Sequence, residues 1–256
     1  MSLIKEELQT SKINLTERRI VTTDFNLDDL NDGEIIVEIE SFAFTSNNVT
    51  YGVAGEMMGY WKFFPSTKDP ENIWGCIPMW GFAKIKHSNN KELKNGERLF
   101  GYFPASNILV MKPIKVSQKT FTDGQDHRKD LPPVYNNYIR LNNEDSYNKD
   151  NDNIRALLFP LHITSFCLCD YLQYEDYLGA KQIIIVSASS KTAIGLAQGL
   201  HREKGGPEIV GLTSKRNLDF VKDLNSYDHV ITYDELDNIN IDSAAVMVDM
   251  AGNREI

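Results

Sequence analysis

The stretch that decides the fold runs from Ile183 to Gln198, IIIVSASSKTAIGLAQ. Its first four residues are an unbroken apolar run, as expected of a strand buried on both faces. The small residues Ser187-Ala188-Ser189-Ser190 follow, and then a segment, Thr192 to Glu203, that can form a helix. Ile209-Val210-Gly211-Leu212 reads as a second buried strand, and Ser214 to Leu224 as a second helix. Val230-Ile231-Thr232 reads as a third strand and Ala245-Val246-Met247-Val248 as a fourth. Buried strands alternating with helices are the βαβ signature of an α/β protein with a parallel, doubly wound sheet.

The turn after the first strand carries chemistry. Small residues let a backbone approach a pyrophosphate, and a helix N-terminus favours the anion. Ser189, Ser190, Lys191 and Thr192 are therefore candidate phosphate contacts, and Gly195 is expected to let the helix pack closely on the strands. Of the usual G-x-G-x-x-G only Gly195 matches, so Ser189-Ser190 can also be read as a plain helix cap. The end of the second strand bears on cofactor choice. An NAD site places a carboxylate there, whereas this chain has Thr213-Ser214-Lys215-Arg216. Ser214, Lys215 and Arg216 would give a 2′-phosphate charge-assisted hydrogen bonds of about 1.5–3 kcal/mol each, and one such bond is worth about tenfold in preference for NADPH. The alternative is a solvated basic start to a surface helix. The sequence stops at Ile256, after the fourth strand, where a dinucleotide-binding sheet ordinarily has two more βα units. The expectation is a C-terminally truncated fragment, with a naturally small sheet as the alternative.

Upstream the texture differs. Glu34 to Phe44, EIIVEIESFAF, alternates Ile35, Val37 and Ile39 with glutamates and reads as a half-buried strand. Further strands are expected at Trp80 to Lys86 and after the Asn95-Gly96 turn. Residues 141–153 are almost entirely polar and read as a surface loop or the approach to a domain boundary. The apolar segment Ile154 to Tyr174 reads as helix despite Pro160, which is expected to end or kink it, so that two pieces can result.

Composition narrows the function. Of 256 residues, 41% are apolar and 25% charged, which suits a globular protein with a substantial core. The 27 basic and 36 acidic residues give a formal net charge of -9, which argues against non-specific nucleic-acid binding. Cys76, Cys167 and Cys169 form no CxxC pair, and the five histidines are scattered, so no zinc site is expected. The N-terminus has no apolar signal region, and Ala156 to Leu172 is too short and too polar to span a bilayer. The expected location is the cytoplasm, with no membrane partner.

Several motifs carry a family likeness. Ala188-Ser189 with Gly195 resembles the A-S-x-G-x-x-G turn of the medium-chain dehydrogenase/reductase superfamily, in its zinc-independent quinone-oxidoreductase branch. Thr213-Ser214, Asp228-His229-Val230-Ile231-Thr232-Tyr233 and Val248-Asp249-Met250-Ala251-Gly252 are similar to its later motifs. The resemblance implies a GroES-like β domain over residues 1–150 and a partial Rossmann domain over residues 151–256. It also implies that Tyr233, Asp249 and Gly252 lie against the cofactor. Within the superfamily, four stretches look closer to a family described only as a domain of unknown function. They are Asn47-Asn48-Val49-Thr50-Tyr51, Gly59-Tyr60-Trp61-Lys62-Phe63-Phe64-Pro65, Pro78-Met79-Trp80-Gly81-Phe82-Ala83 and Val134-Tyr135-Asn136-Asn137-Tyr138. The resemblance spans nearly the whole chain. The chain departs from it in the serine-rich turn and the missing C-terminal units. The zinc-dependent branch has a cysteine near Thr45 or Ser46 and a four-cysteine lobe, and this chain has neither.

By the same resemblance, Thr45 to Tyr60 lines the cleft that faces the nicotinamide. Reduction of a polarised C=C or C=O without a metal needs donors for the developing oxyanion. Tyr51 is the expected proton donor or orienting phenol, and Asn48 the expected amide contact. Their plainer readings are a core tyrosine and a turn residue. Tyr177-x-x-x-Lys181 matches the tyrosine–lysine pair of short-chain dehydrogenases, but it precedes the first strand and contains Gly179, so it reads as chance. The expected activity is NADPH-dependent reduction of a quinone, enone or similar small molecule, with a homodimer possible for a longer chain. A non-catalytic NADPH-binding module is the alternative. A methyltransferase would want a carboxylate where Thr213-Ser214-Lys215 stands.

Overall fold

The computed structural model describes residues 2–202 and 205–252. The chain divides into two units, Met1–Leu157 and Leu158–Ile256. In the first, β1 (Ser2–Ser11) and β2 (Arg18–Asn26) pair as an antiparallel hairpin. There follow β3 (Ile35–Phe42), α1 (Ser46–Val53), β4 (Trp74–Gly75), β5 (Pro78–Ser88) and β6 (Arg98–Pro104). The unit continues through β7 (Ile108–Met111), β8 (Pro113–Ile114), β9 (Thr120–Asp123) and β10 (Asn137–Arg140). Seven strands form one antiparallel sheet in the order β7-β3-β5-β6-β10-β9-β8, and three form another, β2-β1-β4.

The alternation expected of β3 begins only at Glu38. Ile35 and Val37 join Ile85, Phe103, Phe121 and Tyr138 in the main core, while Ile36 is buried on the opposite face with Leu30 and Ile108. Leu3 and Phe25, from β1 and β2, pack against that second cluster. The hairpin thus covers a face that the sequence pattern leaves to solvent.

Between β9 and β10 stands Arg128, 1% exposed. Its Nη1 donates to Asp123 Oδ2 (2.7 Å) and Tyr138 Oη (2.9 Å), its Nε to Asn136 Oδ1 (2.8 Å), and its Nη2 to the Tyr135 carbonyl (2.7 Å). The guanidinium also lies over the rings of Phe63 and Phe64, 5.5 and 5.0 Å from their centroids. A buried cation is tolerated only with such complete pairing.

α2 (Asp152–Tyr174) is one helix, not two. Pro160 removes a single backbone donor, and the helix is anchored on both sides of it. Asp152 pairs with Arg98 at 3.0 Å, and Leu168, Cys169 and Leu172 sit in the core of the second unit. Then come β11 (Gln182–Val186), α3 (Lys191–His201), β12 (Glu208–Thr213), α4 (Leu218–Asp223), β13 (His229–Thr232) and β14 (Ala245–Asp249). The four strands are parallel, in the order β13-β12-β11-β14. Glu203, the expected end of the first helix, lies outside the described residues.

The strand order, third-second-first-fourth, is that of a doubly wound sheet. α2, α3 and α4 all pack on the face that carries Ile183, Ile185 and Ile209. The face of Ile184, Val186, Val210 and Leu212 is packed instead by Ile231, Tyr233 and Ile239. Among the described residues, α-helices cover the first face, and the crossover from β13 to β14 covers the second with Tyr233 and Ile239. Gly195 acts differently from its expected role. A Cβ there would meet Ser165 Oγ of α2 at 2.7 Å, so this glycine serves a helix–helix contact and not a helix–strand one. Gly199 does the same one turn on, against Cys169 Sγ at 2.9 Å.

Two substitutions test this packing. Alanine normally stabilises a helix interior by about 1 kcal/mol over glycine. At position 195 the sign inverts, because Ser165 Oγ is held on the carbonyls of Leu161 and Thr192 and cannot turn away. G195A is expected to lose about 1–3 kcal/mol in urea denaturation, and the S165A background to recover part of it. R128M leaves the Asp123 carboxylate buried and unpaired, and is expected to lose about 3–5 kcal/mol in the same assay.

Candidate functional site

Thr45 sets up the first half of the site. Its side chain caps α1, and Asn48 answers in a capping box, with Oδ1 accepting from Thr45 N at 2.6 Å. The other end of the Asn48 amide donates to the Pro78 carbonyl of β5 at 2.9 Å. Asn48 is 2% exposed, and both ends of its amide are used inside the fold. The Asn48 amide thus fixes α1 on β5.

One turn on, Tyr51 is buried. Its ring touches Tyr60 (centroids 4.6 Å apart) and, edge-on, Tyr102 (5.8 Å). Tyr135 closes the figure, 4.7 Å from Tyr102 and 6.0 Å from Tyr60. Four tyrosines thus form a ring in which each touches two others. Trp80 packs on Tyr102 and Tyr135, and Phe63 on Tyr60, Tyr102 and Tyr135. Tyr51 and Tyr102 are buried, while Tyr60 and Tyr135 keep part of their surface open.

Burial raises the pKa of Tyr51, and the neighbouring Tyr60 adds to it, against smaller opposing effects from Trp80, Asn47 and Tyr102. Burial likewise raises Tyr102 and Tyr135. These phenols stay protonated far above neutral pH and act as donors without charge. Tyr102 Oη is buried without an aligned hydrogen-bond partner, although it lies close enough to Tyr51 to influence that phenol. A buried hydroxyl in that state is unusual and favours an added partner. Tyr60, Tyr102 and Tyr135 were not singled out as site residues by sequence reasoning. The ring joins positions up to 84 residues apart, so no local motif announces it.

The second unit gathers the other expected residues at one edge of its sheet. In register, Val186 of β11 stands beside Leu212 of β12 and Asp249 of β14, and Thr213 beside Thr232. The order of the strands reverses direction at β11, which is the topological switch point of such sheets. Ser187 takes a left-handed conformation (φ 60°), where this turn more often uses glycine. Ser190 caps α3, accepting from Ala193 N at 3.3 Å, which bears out the cap reading. That leaves the Ser189 and Thr192 hydroxyls and the exposed Lys191 at the start of the helix.

The turn is tied to its surroundings. Asn217 Nδ2 donates to Ser189 Oγ at 3.0 Å, linking the small-residue turn to the segment that carries Ser214, Lys215 and Arg216. Tyr233 Oη accepts from Ser187 N at 3.1 Å. Thr213 Oγ1, at the end of β12, is buried without a partner. Asp249 Oδ1 accepts from Ala251 N (2.7 Å) and Gly252 N (3.1 Å), and so shapes its own turn, with Gly252 left-handed at φ 59°. Sequence reasoning missed Asn217 and Glu235. The Glu235 carboxyl is held below its usual range by hydrogen bonds from Thr232, with help from Lys222 and Lys215. A small turn, a helix end, two cations and an orphaned hydroxyl together fit the phosphates of a dinucleotide. Among the described residues no His, Cys, Asp and Glu group could hold a metal, and no helix is long and apolar enough to cross a membrane.

Comparison with known proteins agrees at the level of fold. CurA from Vibrio vulnificus is 13% identical with a TM-score of 0.52, over 91% of this chain and 59% of that one. The human synaptic vesicle membrane protein VAT-1 homolog-like protein is 12% identical with a TM-score of 0.51, over 93% and 64%. A putative NADPH:quinone reductase from Bacillus thuringiensis is 11% identical with a TM-score of 0.50, over 91% and 59%. The chain spans about three fifths of the length of these structures. An antiparallel β unit followed by a parallel α/β unit is what the medium-chain dehydrogenase/reductase resemblance implies. No curated protein matches the sequence. Residues 42–256 match the family model described as protein of unknown function (DUF2855), and the chain belongs to that family.

Proposed function

We propose that the chain is an NADPH-dependent oxidoreductase that reduces a quinone, enone or similar activated carbonyl without zinc. The observation that supports this reading is the Asn217–Ser189 hydrogen bond, which ties the small-residue turn at the start of α3 to the segment that carries Lys215 and Arg216. A pyrophosphate and a 2′-phosphate can then be read by adjacent groups. The neighbour named as a putative NADPH:quinone reductase is consistent with this, as a likeness of fold.

NADPH bound there would supply the hydride. The rest falls to the chain's own side chains. Ser189 and Thr192 would hold phosphate oxygens, and the unpartnered Thr213 hydroxyl would take a hydrogen bond at the end of β12. Lys215 and Arg216 would read the 2′-phosphate, with Glu235 moderating the pull of Lys215. Tyr51 would hold a proton on Oη for the carbonyl oxygen as negative charge grows on it. Asn48 would act through Tyr51, by fixing α1.

A second reading, a module that binds NADPH without turnover, is favoured by one observation: the turn is built of serines, and Ser187 takes a conformation costly for a residue with a side chain. The two readings separate cleanly. Both expect calorimetric titration to show NADPH at least about tenfold tighter than NADH, and K215A/R216A to erase the difference. Equal affinities would remove the cofactor assignment.

Only the enzyme reading expects steady-state NADPH oxidation with quinones or enones, and a fall in kcat of about 10²-fold or more in Y51F. The protonated phenol is the active form and its pKa is raised. Activity attributable to Tyr51 should therefore stay level from pH 7 to about 9.5 and fall only as the phenol ionises above its ordinary value near 10. A loss of rate centred near pH 7 would assign the proton to another group.

A further inference from the structure

We infer that the first unit holds a second small-molecule site, built to take a neutral, largely apolar compound with one hydrogen-bond-accepting oxygen. This inference does not depend on the oxidoreductase reading. The cavity has a volume of about 420 Å³, within the range of ordinary ligand pockets. It lies where the two sheets of the unit meet. β1 contributes Lys5 and Glu7, β2 contributes Thr23 and Phe25, and β7 contributes Ile108 to Val110, with Phe64 and Thr67 from the intervening loop. Phe64 is also its partition from the tyrosine ring, since its own ring lies 6.2 Å from that of Tyr102.

Most of the wall is apolar, and the polar end has an uneven supply of hydrogen bonds. The Glu7 side chain is 2% exposed. Its carboxylate accepts from Lys5 Nζ (2.6 Å), Gln9 Nε2, Thr67 N (2.9 Å) and Thr67 Oγ1 (3.2 Å). Three of these donors converge on Oε1, which is filled, and Oε2 accepts from Lys5 alone. Lys5 differs. Its ammonium has three hydrogens, and among the described residues it makes one hydrogen bond, to Glu7. The pocket therefore offers donors from Lys5, and the one Glu7 oxygen that is not filled lies under the Lys5 ammonium.

Charge selects further. Lys5 and Glu7 neutralise each other at 2.6 Å, and His127 at the rim holds the Phe63 carbonyl through Nε2 at 3.2 Å. Asp24, exposed at the mouth, adds a negative charge. A carboxylate ligand would meet Glu7 and Asp24. An ammonium ligand would meet the like charge of Lys5, which already occupies the Oε2 side of Glu7. A ketone, ester or amide oxygen can take a Lys5 hydrogen while its carbon skeleton lies along Phe25, Phe64, Ile108 and Val110.

The test uses three probes of one shape on the full chain at pH 8: cyclohexyl methyl ketone, cyclohexanecarboxylate and cyclohexylmethylammonium. Titration followed by 1H–15N NMR should show the ketone binding, with shifts at Lys5, Phe25, Phe64 and Val110, and both ions at least about tenfold weaker. T23W fills the cavity from the surface strand and should abolish ketone binding. K5M should weaken it by about tenfold, the loss expected of one hydrogen bond to a charged donor. If circular dichroism shows T23W unfolded, V110W takes its place, and the probe contrast and K5M decide the matter if both fail to fold. No ketone binding up to its solubility limit, equal binding of all three probes, or ketone binding unaffected by K5M or by cavity filling would overturn the proposal.

Discussion

The Arg128–Asp123 ion pair, sealed from water at 2.7 Å, is the constraint on which the first unit depends. Desolvating both charges is costly, and the cost is offset only if every donor finds a partner. Those partners are the parts of the candidate site. Arg128 holds the backbone of Tyr135 and the hydroxyl of Tyr138, and Tyr138 Oη in turn donates to the Tyr102 carbonyl at 2.5 Å. Asp123 Oδ1 accepts from Lys112 N and Gln125 N and so pins the strand ends beside it. Two of the four phenols in the ring are thereby set by one guanidinium, and the faces of Phe63 and Phe64 rest against it. Sites of this precision need rigid support behind them.

How much of this was legible in the sequence depends on range. The two central parallel strands could be read because a strand buried on both faces is uniformly apolar, as in Ile183 to Val186. The cationic end of β12 could be read because three successive residues carry it. The tyrosine ring could not, since Tyr51, Tyr60, Tyr102 and Tyr135 meet only through tertiary packing. Gly195 was noticed for the right reason, close approach, but the approaching partner is Ser165 of α2, thirty residues upstream. Pro160 misled because helix-breaking rules weigh one lost hydrogen bond against local propensity and not against anchorage on both sides. The cover on the second face of the sheet was hidden because an apolar strand does not say whether a helix or a loop lies on it.

The second unit shows how a turn can keep its shape without the usual glycines. Ser187 accepts the left-handed conformation, and its N–H is satisfied by Tyr233. Ser190 gives its side chain to the helix as a cap, so two neighbouring serines have different duties: one finishes the helix, and Ser189 joins the turn to Asn217. Specificity for a phosphate would then rest less on bare backbone and more on hydroxyls. Such a site holds its ligand through groups that can rotate, and the Asn217 link limits that rotation at Ser189.

The crowding of phenols has a consequence for the range of conditions in which the fold can exist. Tyr51, Tyr102, Tyr135 and Tyr227 are raised chiefly by burial, and Tyr138 is pushed up to about 12. In the unfolded chain each titrates near 10. The folded state thus keeps protons that the unfolded state surrenders in strong base, and linkage converts that difference into free energy. The stabilisation is whole below pH 10 and drains away as pH climbs through the raised values. The same tyrosines that make an uncharged donor site give the molecule an alkaline ceiling, beyond which ionisation and opening of the core become one event.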